Sequence, residues 1–194
     1  MKLNKRIIVA VTGASGSIYA KNLLEKLATY SDEVAEIALI VSETGEKVWQ
    51  YELGSKIPQS GLIKRYDNSN FFAPTASGSA GYNAMIVVPC TAGTLGRIAN
   101  GTSNDLIARS ADVLLKERKP LVLVLRESPY NLIHIENMRK LTLAGGIIFP
   151  ASPSFYSKPS GINALVDTVT DRVLAMIGLR VNGYKWDESN SENP

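Results

Sequence analysis

The sequence predicts an α/β protein with a Rossmann-like, three-layer α/β/α architecture around a mostly parallel sheet. Three observations carry this. Apolar runs of strand length alternate along the chain with stretches of helical periodicity. The runs Ile7–Val11, Met85–Val88 and Leu121–Leu125 are apolar at every position, the pattern of strands buried on both faces. These three run into small, hydroxylic or charged residues: Thr12-Gly13-Ala14-Ser15-Gly16-Ser17, then Pro89-Cys90-Thr91-Ala92-Gly93-Thr94, then Arg126-Glu127-Ser128-Pro129. Ligands of open α/β sheets bind just beyond the carboxyl ends of the strands. The pattern therefore places a polar site along one edge of one sheet.

The elements follow in order. Ile7–Val11 is the first strand. The basic residues ahead of it imitate the start of a signal peptide, but the apolar region is too short and Thr12-Gly13 interrupts it. Ala20, Leu23, Leu24 and Leu27 then recur at helical spacing. Val34–Val41 is the second strand, and Ser42 precedes a short helix carrying Val48, Trp49 and Tyr51. Leu62–Tyr66 forms a third, edge-like strand, and Asn68–Gly81, rich in Ser, Gly, Ala and Pro, is a loop. The next strand ends at Pro89-Cys90, with helices expected over Thr94–Ala99 and Asp105–Lys119 and a strand at Leu121–Leu125. Ser128 as N-cap and Pro129 at the first helical position predict a helix running to about Leu143 and stopped by Gly145-Gly146. Ile147–Phe149 is a short last strand and Pro150–Pro159 a loop containing Phe155-Tyr156. Ile162, Leu165, Val166, Val169, Val173 and Ile177 mark a final amphipathic helix. No repeat or linker divides the chain, which reads as one domain over 1–181 and a polar tail over 182–194.

Composition removes several function classes. The net charge of +3 is too small, and the basic residues too scattered, for a nucleic-acid-binding protein. The lone cysteine, Cys90, forbids an intramolecular disulfide and fits a reducing cytoplasm. No apolar run reaches the length of a membrane span. No Cys/His cluster has metal-ligand spacing, so no metal is expected.

The residues that remain for chemistry sit mostly at the strand ends. Gly13-Ala14-Ser15-Gly16-Ser17 lies between a strand and a helix, where backbone N–H groups favour an anion. It lacks the full dinucleotide spacing, and a tight turn capped by serine is the alternative. Thr91-Ala92-Gly93-Thr94 offers two hydroxyls and a glycine before another helix, with the same alternative. Four cations stand out: Arg109, Lys116, Arg126 and Arg172. Arg126 directly ends an apolar strand, where a charge is paired or faces a ligand, and Glu127 is its nearest candidate partner. His134 is the one histidine and is expected as a packed core residue within a helix. Cys90 is expected as a small buried residue rather than a nucleophile. Trp49, Phe71, Phe72, Tyr156 and Trp186 either line a stacking wall or belong to the core.

Taken together, these stretches resemble the flavin prenyltransferase (UbiX-type) family from Ile7 to about Val181. The matching stretches are Thr12-Gly13-Ala14-Ser15-Gly16, Ala76-Ser77-Gly78-Ser79, Pro89-Cys90 with Thr94-Leu95, Asn104–Lys119, Arg126-Glu127-Ser128-Pro129, His134 with Glu136-Asn137-Met138, Pro150–Pro159, and Asp167 with Arg172. The resemblance implies a cytoplasmic, metal-independent enzyme, a homo-oligomer and usually a dodecamer, that joins a dimethylallyl group from dimethylallyl phosphate to N5 and C6 of reduced FMN. Its product serves a UbiD-type decarboxylase. By position, the resemblance implies that Gly13, Ala14, Ser15, Ser42, Thr91, Ala92, Gly93, Thr94 and Arg109 contact FMN. It implies that Lys116, Arg126, Glu127, Tyr156 and Arg172 surround the prenyl phosphate, and that Ser15, Glu52, Lys116 and Glu127 form the catalytic set. Two departures are visible. The loop after Pro89-Cys90 often carries a lysine in this family, and Gly93 stands in its place here. Phe71 stands where some relatives have tryptophan. The alternatives are a flavin-dependent cysteine decarboxylase of the same fold, which relies on a histidine, and a non-enzymatic FMN carrier.

Overall fold

The computed structural model describes residues 5–58 and 61–184. Trp186 and most of the expected tail lie outside these. Six strands, β1 (Lys5–Val11), β2 (Val34–Val41), β3 (Ile63–Asp67), β4 (Ala84–Cys90), β5 (Leu121–Leu125) and β6 (Ile147–Pro150), form one sheet in the order β3-β2-β1-β4-β5-β6. Every neighbouring pair is parallel. Strands connected by crossover helices can pair only this way, and both faces of the sheet are then covered.

The helices are α1 (Ser17–Thr29), α2 (Glu43–Leu53), α3 (Ala92–Ala99), α4 (Leu106–Lys116), α5 (Leu132–Leu143) and α6 (Ile162–Met176). Alternate side chains of β1 enter opposite cores. Ile7, Val9 and Val11 pack with Leu23, Leu24 and Leu27 of α1, Trp49 of α2 and Val169 and Val173 of α6. Ile8 and Ala10 pack with Leu95 of α3, Ala111 and Leu114 of α4 and Leu141 of α5. Each fully buried leucine contributes about 2 kcal/mol to this two-sided core.

Several boundaries differ from expectation, each for a local reason. The third strand runs one residue later than Leu62–Tyr66. The helix after β4 starts at Ala92 rather than Thr94, because the Thr91 side chain accepts from Thr94 N and caps it. α4 ends at Lys116 rather than Lys119. Arg118 takes a positive φ of 56° and Lys119 N bonds back to Leu114 O, which closes the helix. Ser128-Pro129 does not start a helix. α5 begins at Leu132, with Asn131 Oδ1 accepting from His134 N and His134 Nδ1 accepting from Asn131 N. His134 is therefore a half-buried capping residue, not a core histidine. The loop after β3 contains two single 3-10 turns, Pro74–Ala76 and Gly78–Ala80.

A polar cluster joins β1, β2 and β3 near their amino ends. Glu36, almost buried, accepts from Tyr82 Oη at 2.6 Å, Lys64 Nζ at 2.9 Å and Arg6 Nη2 at 3.1 Å. The Arg6 guanidinium lies 4.3 Å above the Tyr82 ring centre. Burial pushes the Glu36 carboxyl up, but hydrogen bonds from Tyr82, Lys64 and Arg6 outweigh it and hold the group below its ordinary range. Because the folded value is lowered, the stabilisation is complete above the unfolded value of about 4.3 and is lost as pH falls through the folded value. Glu36→Ala is expected to lower the unfolding free energy at pH 7 by about 2 kcal/mol, read as a shifted urea midpoint. The gap between wild type and variant should close as pH falls below about 4.

Candidate active site

The strand order reverses between β1 and β4, and in open α/β sheets the crevice at such a point is where ligands bind. Thr12 holds the two lips of that crevice together. It is 3 % exposed, so its hydroxyl must be bonded within the protein. Oγ1 donates to Pro89 O at 2.7 Å and accepts from Thr91 N at 3.0 Å, which ties the loop after β1 to the loop after β4.

The loop after β1 is shaped by α2. A Cβ on Gly13 would lie 2.4 Å from Thr44 Cγ2, so the absent side chain makes room for the first turn of α2. Gly16 is the N-cap of α1, at φ 108°, and no side chain of its own loop caps the helix. The cap comes from α2: Glu52 accepts from Gly16 N at 3.0 and 3.1 Å and from Ser17 N at 2.7 Å. Burial raises the Glu52 carboxyl, but the Ser15 hydroxyl and the Ser17 and Gly16 amides outweigh it and leave it lowered. The cap is thus a glutamate rather than the serine of the alternative reading, and the anion-favouring start of α1 already holds a carboxylate. Ser15 stands exposed beside it.

The next two loops contain the other hydroxyls named from sequence. Ser42 Oγ accepts from Gly45 N at 3.0 Å and caps α2, whose first turn carries Glu43 and Glu46. Thr91 Oγ1 accepts from Thr94 N and donates to Thr94 Oγ1. Thr94 is buried, so its part in the loop is internal, whereas Gly93 is exposed and Ala92 half-buried. Arg97, which the sequence reading passed over, donates from Nη2 to Thr94 Oγ1 at 3.1 Å. Cys90 is fully buried, and burial pushes its thiol up to about 12, an inert state at neutral pH.

The structure does not bring the cations together within one chain. Arg126 follows β5 directly, is exposed, and has no ion pair or side-chain hydrogen bond among the described residues. Its guanidinium acts on Tyr19, a half-buried residue of α1 that the sequence reading missed. Glu127 is not paired with Arg126; its Oε1 accepts from Ser128 N at 3.0 Å. Arg109 donates to Ala76 O and pairs with Asp112 at 3.0 Å, tying α4 to the loop after β3. Tyr156 and Arg172 line a cavity of about 890 Å³ between α6, the loop at 154–157 and residues 181–184, and Arg126 is not part of its wall. Lys116 ends α4 and pairs with Glu117 at 2.6 Å. It precedes Pro120, whose carbonyl accepts from Met85 near the start of β4, so it lies at the amino edge of the sheet. The five residues of β5 separate it from Arg126 by about 17 Å. Trp49 is core, and Phe71 and Phe72 are exposed. Among the described residues no helix is long and apolar enough to cross a membrane, and no group of three or more His, Cys, Asp or Glu could hold a metal ion.

A family model described as Flavoprotein matches residues 1–174. The flavin prenyltransferase UbiX of Methanocaldococcus jannaschii is 45% identical over 93% of this chain and 97% of its own. The chain belongs to the flavin prenyltransferase family. A solved structure of this family, AnUbiX in complex with FMN and dimethylallyl pyrophosphate, is 39% identical and superposes with a TM-score of 0.82, covering 94% of this chain and 100% of that one. A dodecameric FMN-dependent Ubix-like decarboxylase from Escherichia coli O157:H7 is 34% identical, with a TM-score of 0.84 over 93% of this chain and 99% of that one. The Rossmann-like flavoprotein fold expected from the sequence is the fold found.

The Thr12 stitch is testable in isolation. Thr12→Val keeps the shape and removes the hydroxyl, leaving Pro89 O and Thr91 N with one partner fewer each. It is expected to lower the unfolding free energy by about 2 kcal/mol, measured by denaturant titration.

Proposed function

We propose that this protein is a flavin prenyltransferase, joining a dimethylallyl group from dimethylallyl phosphate to N5 and C6 of reduced FMN. The product would serve a UbiD-type decarboxylase in the cytoplasm. What supports this most directly is Arg126, an unpaired cation at the end of a buried strand beside the switch-point crevice, in a family whose AnUbiX member is solved with FMN and dimethylallyl pyrophosphate.

The residues fit an anionic flavin. Gly13, Ala14, Ser15, Ser42, Thr91, Ala92, Gly93 and Thr94 line or support the crevice edge, with Arg109 holding the loop at Ala76 against α4. When bound, reduced FMN supplies the two nucleophilic atoms. The protein's part is to stabilise charge on the leaving phosphate and to handle protons. Arg126 is positioned to bind the phosphate oxygens, and fixed cations of this kind stabilise a leaving phosphate without reorganising. Glu52, held ionised by the start of α1 and by Ser15, can accept a proton at the crevice and pass it through the Ser15 hydroxyl. Glu127 stands next to Arg126 as a second acceptor, nearer the phosphate.

Lys116, Tyr156 and Arg172 complete the substrate set only if copies of the chain assemble. One lies at the opposite sheet edge and two in the cavity beside α6. A dodecameric relative supports such an assembly. So do Phe72, Leu132, Ile133, Phe155 and Ile162, which present apolar surface on the loops and helix starts. The catalytic unit would be the domain over 1–181.

Anaerobic incubation with reduced FMN and dimethylallyl phosphate should yield a flavin heavier by one dimethylallyl group, read by mass spectrometry. An unchanged flavin mass would rule out the activity. Glu52→Gln and Arg172→Ala should each retain FMN and lose turnover by about a hundredfold or more. Normal turnover in both would refute the residue assignment.

A further inference from the structure

We propose that Arg97 is an additional cofactor anchor, binding the phosphate monoester of the flavin at the start of α3 together with the backbone N–H groups of Ala92 and Gly93. This rests on the flavin reading above and goes beyond it by assigning the phosphate to one place.

Three helices begin at the crevice, and two are unsuited to a phosphate. The start of α1 is filled by the Glu52 carboxylate, which accepts from Gly16 N and Ser17 N. The first turn of α2 gives its Gly45 amide to Ser42 Oγ, and the cations near it, Lys47 and Arg65, are already paired with Glu43 and Glu46. α3 has no acidic residue in its first turn. Thr91 takes the Thr94 amide, while the Ala92 and Gly93 amides, which have no intrahelical acceptor, bond to nothing else among the described residues. Such free amides at a helix start form an anion site when a further charge supports them.

Arg97 supplies that charge. Side chains of a helix lean toward its amino end, and the Arg97 guanidinium lies back over the first turn. Nη2 is 3.1 Å from Thr94 Oγ1, and Nη1 is 3.8 Å from where a Cβ on Gly93 would sit. Position 93 is exposed and has no side chain, so nothing covers the guanidinium there. Arg97 is rooted in the last turn of α3, and only its guanidinium reaches back to the helix start, where an anion would offset its charge against the partial positive charge of the free amides. Among the described residues its acidic partner is Asp105, whose Oδ2 lies 3.6 Å away while its Oδ1 caps α4 through Ala108 N at 2.7 Å. Arg97 Nε is buried and has no hydrogen-bond partner among the described residues. A phosphate over Gly93 would meet the free amides and the exposed guanidinium edge together. The geometry also relates positions 93 and 97, neighbours at i and i+4 on one helical face: a cation reaching back from 97 occupies the space that one rooted at 93 would fill.

The competing role for Arg97 is structural, a strut between α3 and α4 through Asp105. Flavin fluorescence titrations with FMN and with riboflavin, which lacks the phosphate, separate the two. The proteins compared are wild type, Arg97→Gln, which keeps a donor for Thr94 but no charge, and Arg97→Gln with Gly93→Lys. Unfolding midpoints without flavin establish that each is folded. Arg97→Gln is expected to weaken FMN binding about tenfold and leave riboflavin unchanged, and Gly93→Lys in that background should recover most of the loss. Equal weakening of both flavins, no weakening, or a loss that Gly93→Lys does not recover overturns the proposal. A wild type that binds neither flavin overturns the flavin reading itself, and this proposal with it.

Discussion

The hydroxyl of Thr12 is the interaction on which the site depends. At the switch point, the helices leaving β1 and β4 depart to opposite faces of the sheet, and beyond the strand pairing itself a backbone bond from Thr12 N to Pro89 O at 3.3 Å joins the two loops. The Thr12 side chain adds two more bonds, donating to Pro89 O and accepting from Thr91 N. It is buried, so both bonds form away from water, where a lost partner is most costly. The position of Thr91, and through its cap the start of α3, follows from that contact.

Around this hinge the structure distributes charge among the helix starts. Each leaves unpaired amides and a partial positive charge toward the crevice. Glu52, reaching over from the end of α2, satisfies the start of α1. That leaves an ionised carboxylate at the crevice mouth, where a proton acceptor is useful. The start of α2 is capped by Ser42, and its Glu43 and Glu46 take up the nearby Lys47 and Arg65. The start of α3 is left receptive, with Arg97 against it. The same backbone feature thus has three different fates because three different side-chain sets surround it.

The cations show a comparable division. Arg126 is at the carboxyl edge, Arg172 and Tyr156 border a cavity beside α6, and Lys116 is at the amino edge against Glu117. Arg126 and Arg172 have no ion pair or side-chain hydrogen bond among the described residues, which suits groups that meet an anion from outside their own fold.

Much of this was legible in the amino-acid order. The parallel arrangement and the edge that carries the site follow from the uninterrupted apolar runs of β1, β4 and β5 ending in polar residues, the pattern of strands covered on both faces. The family resemblance was legible for the same reason, since its motifs are the loop residues themselves. Other features were not. Glu52 caps α1 from 35 residues away in the chain, His134 caps rather than packs, and Ser128-Pro129, a good local helix start, loses to Asn131. Arg97 gave no sign in sequence beyond an arginine on a short helix. Local propensity and periodicity depend on neighbours in the chain, so the sequence alone determined the layers and the edge. Which amide a carboxylate satisfies, and which cation stays unpaired, depends on neighbours in space, and only the tertiary structure decided those.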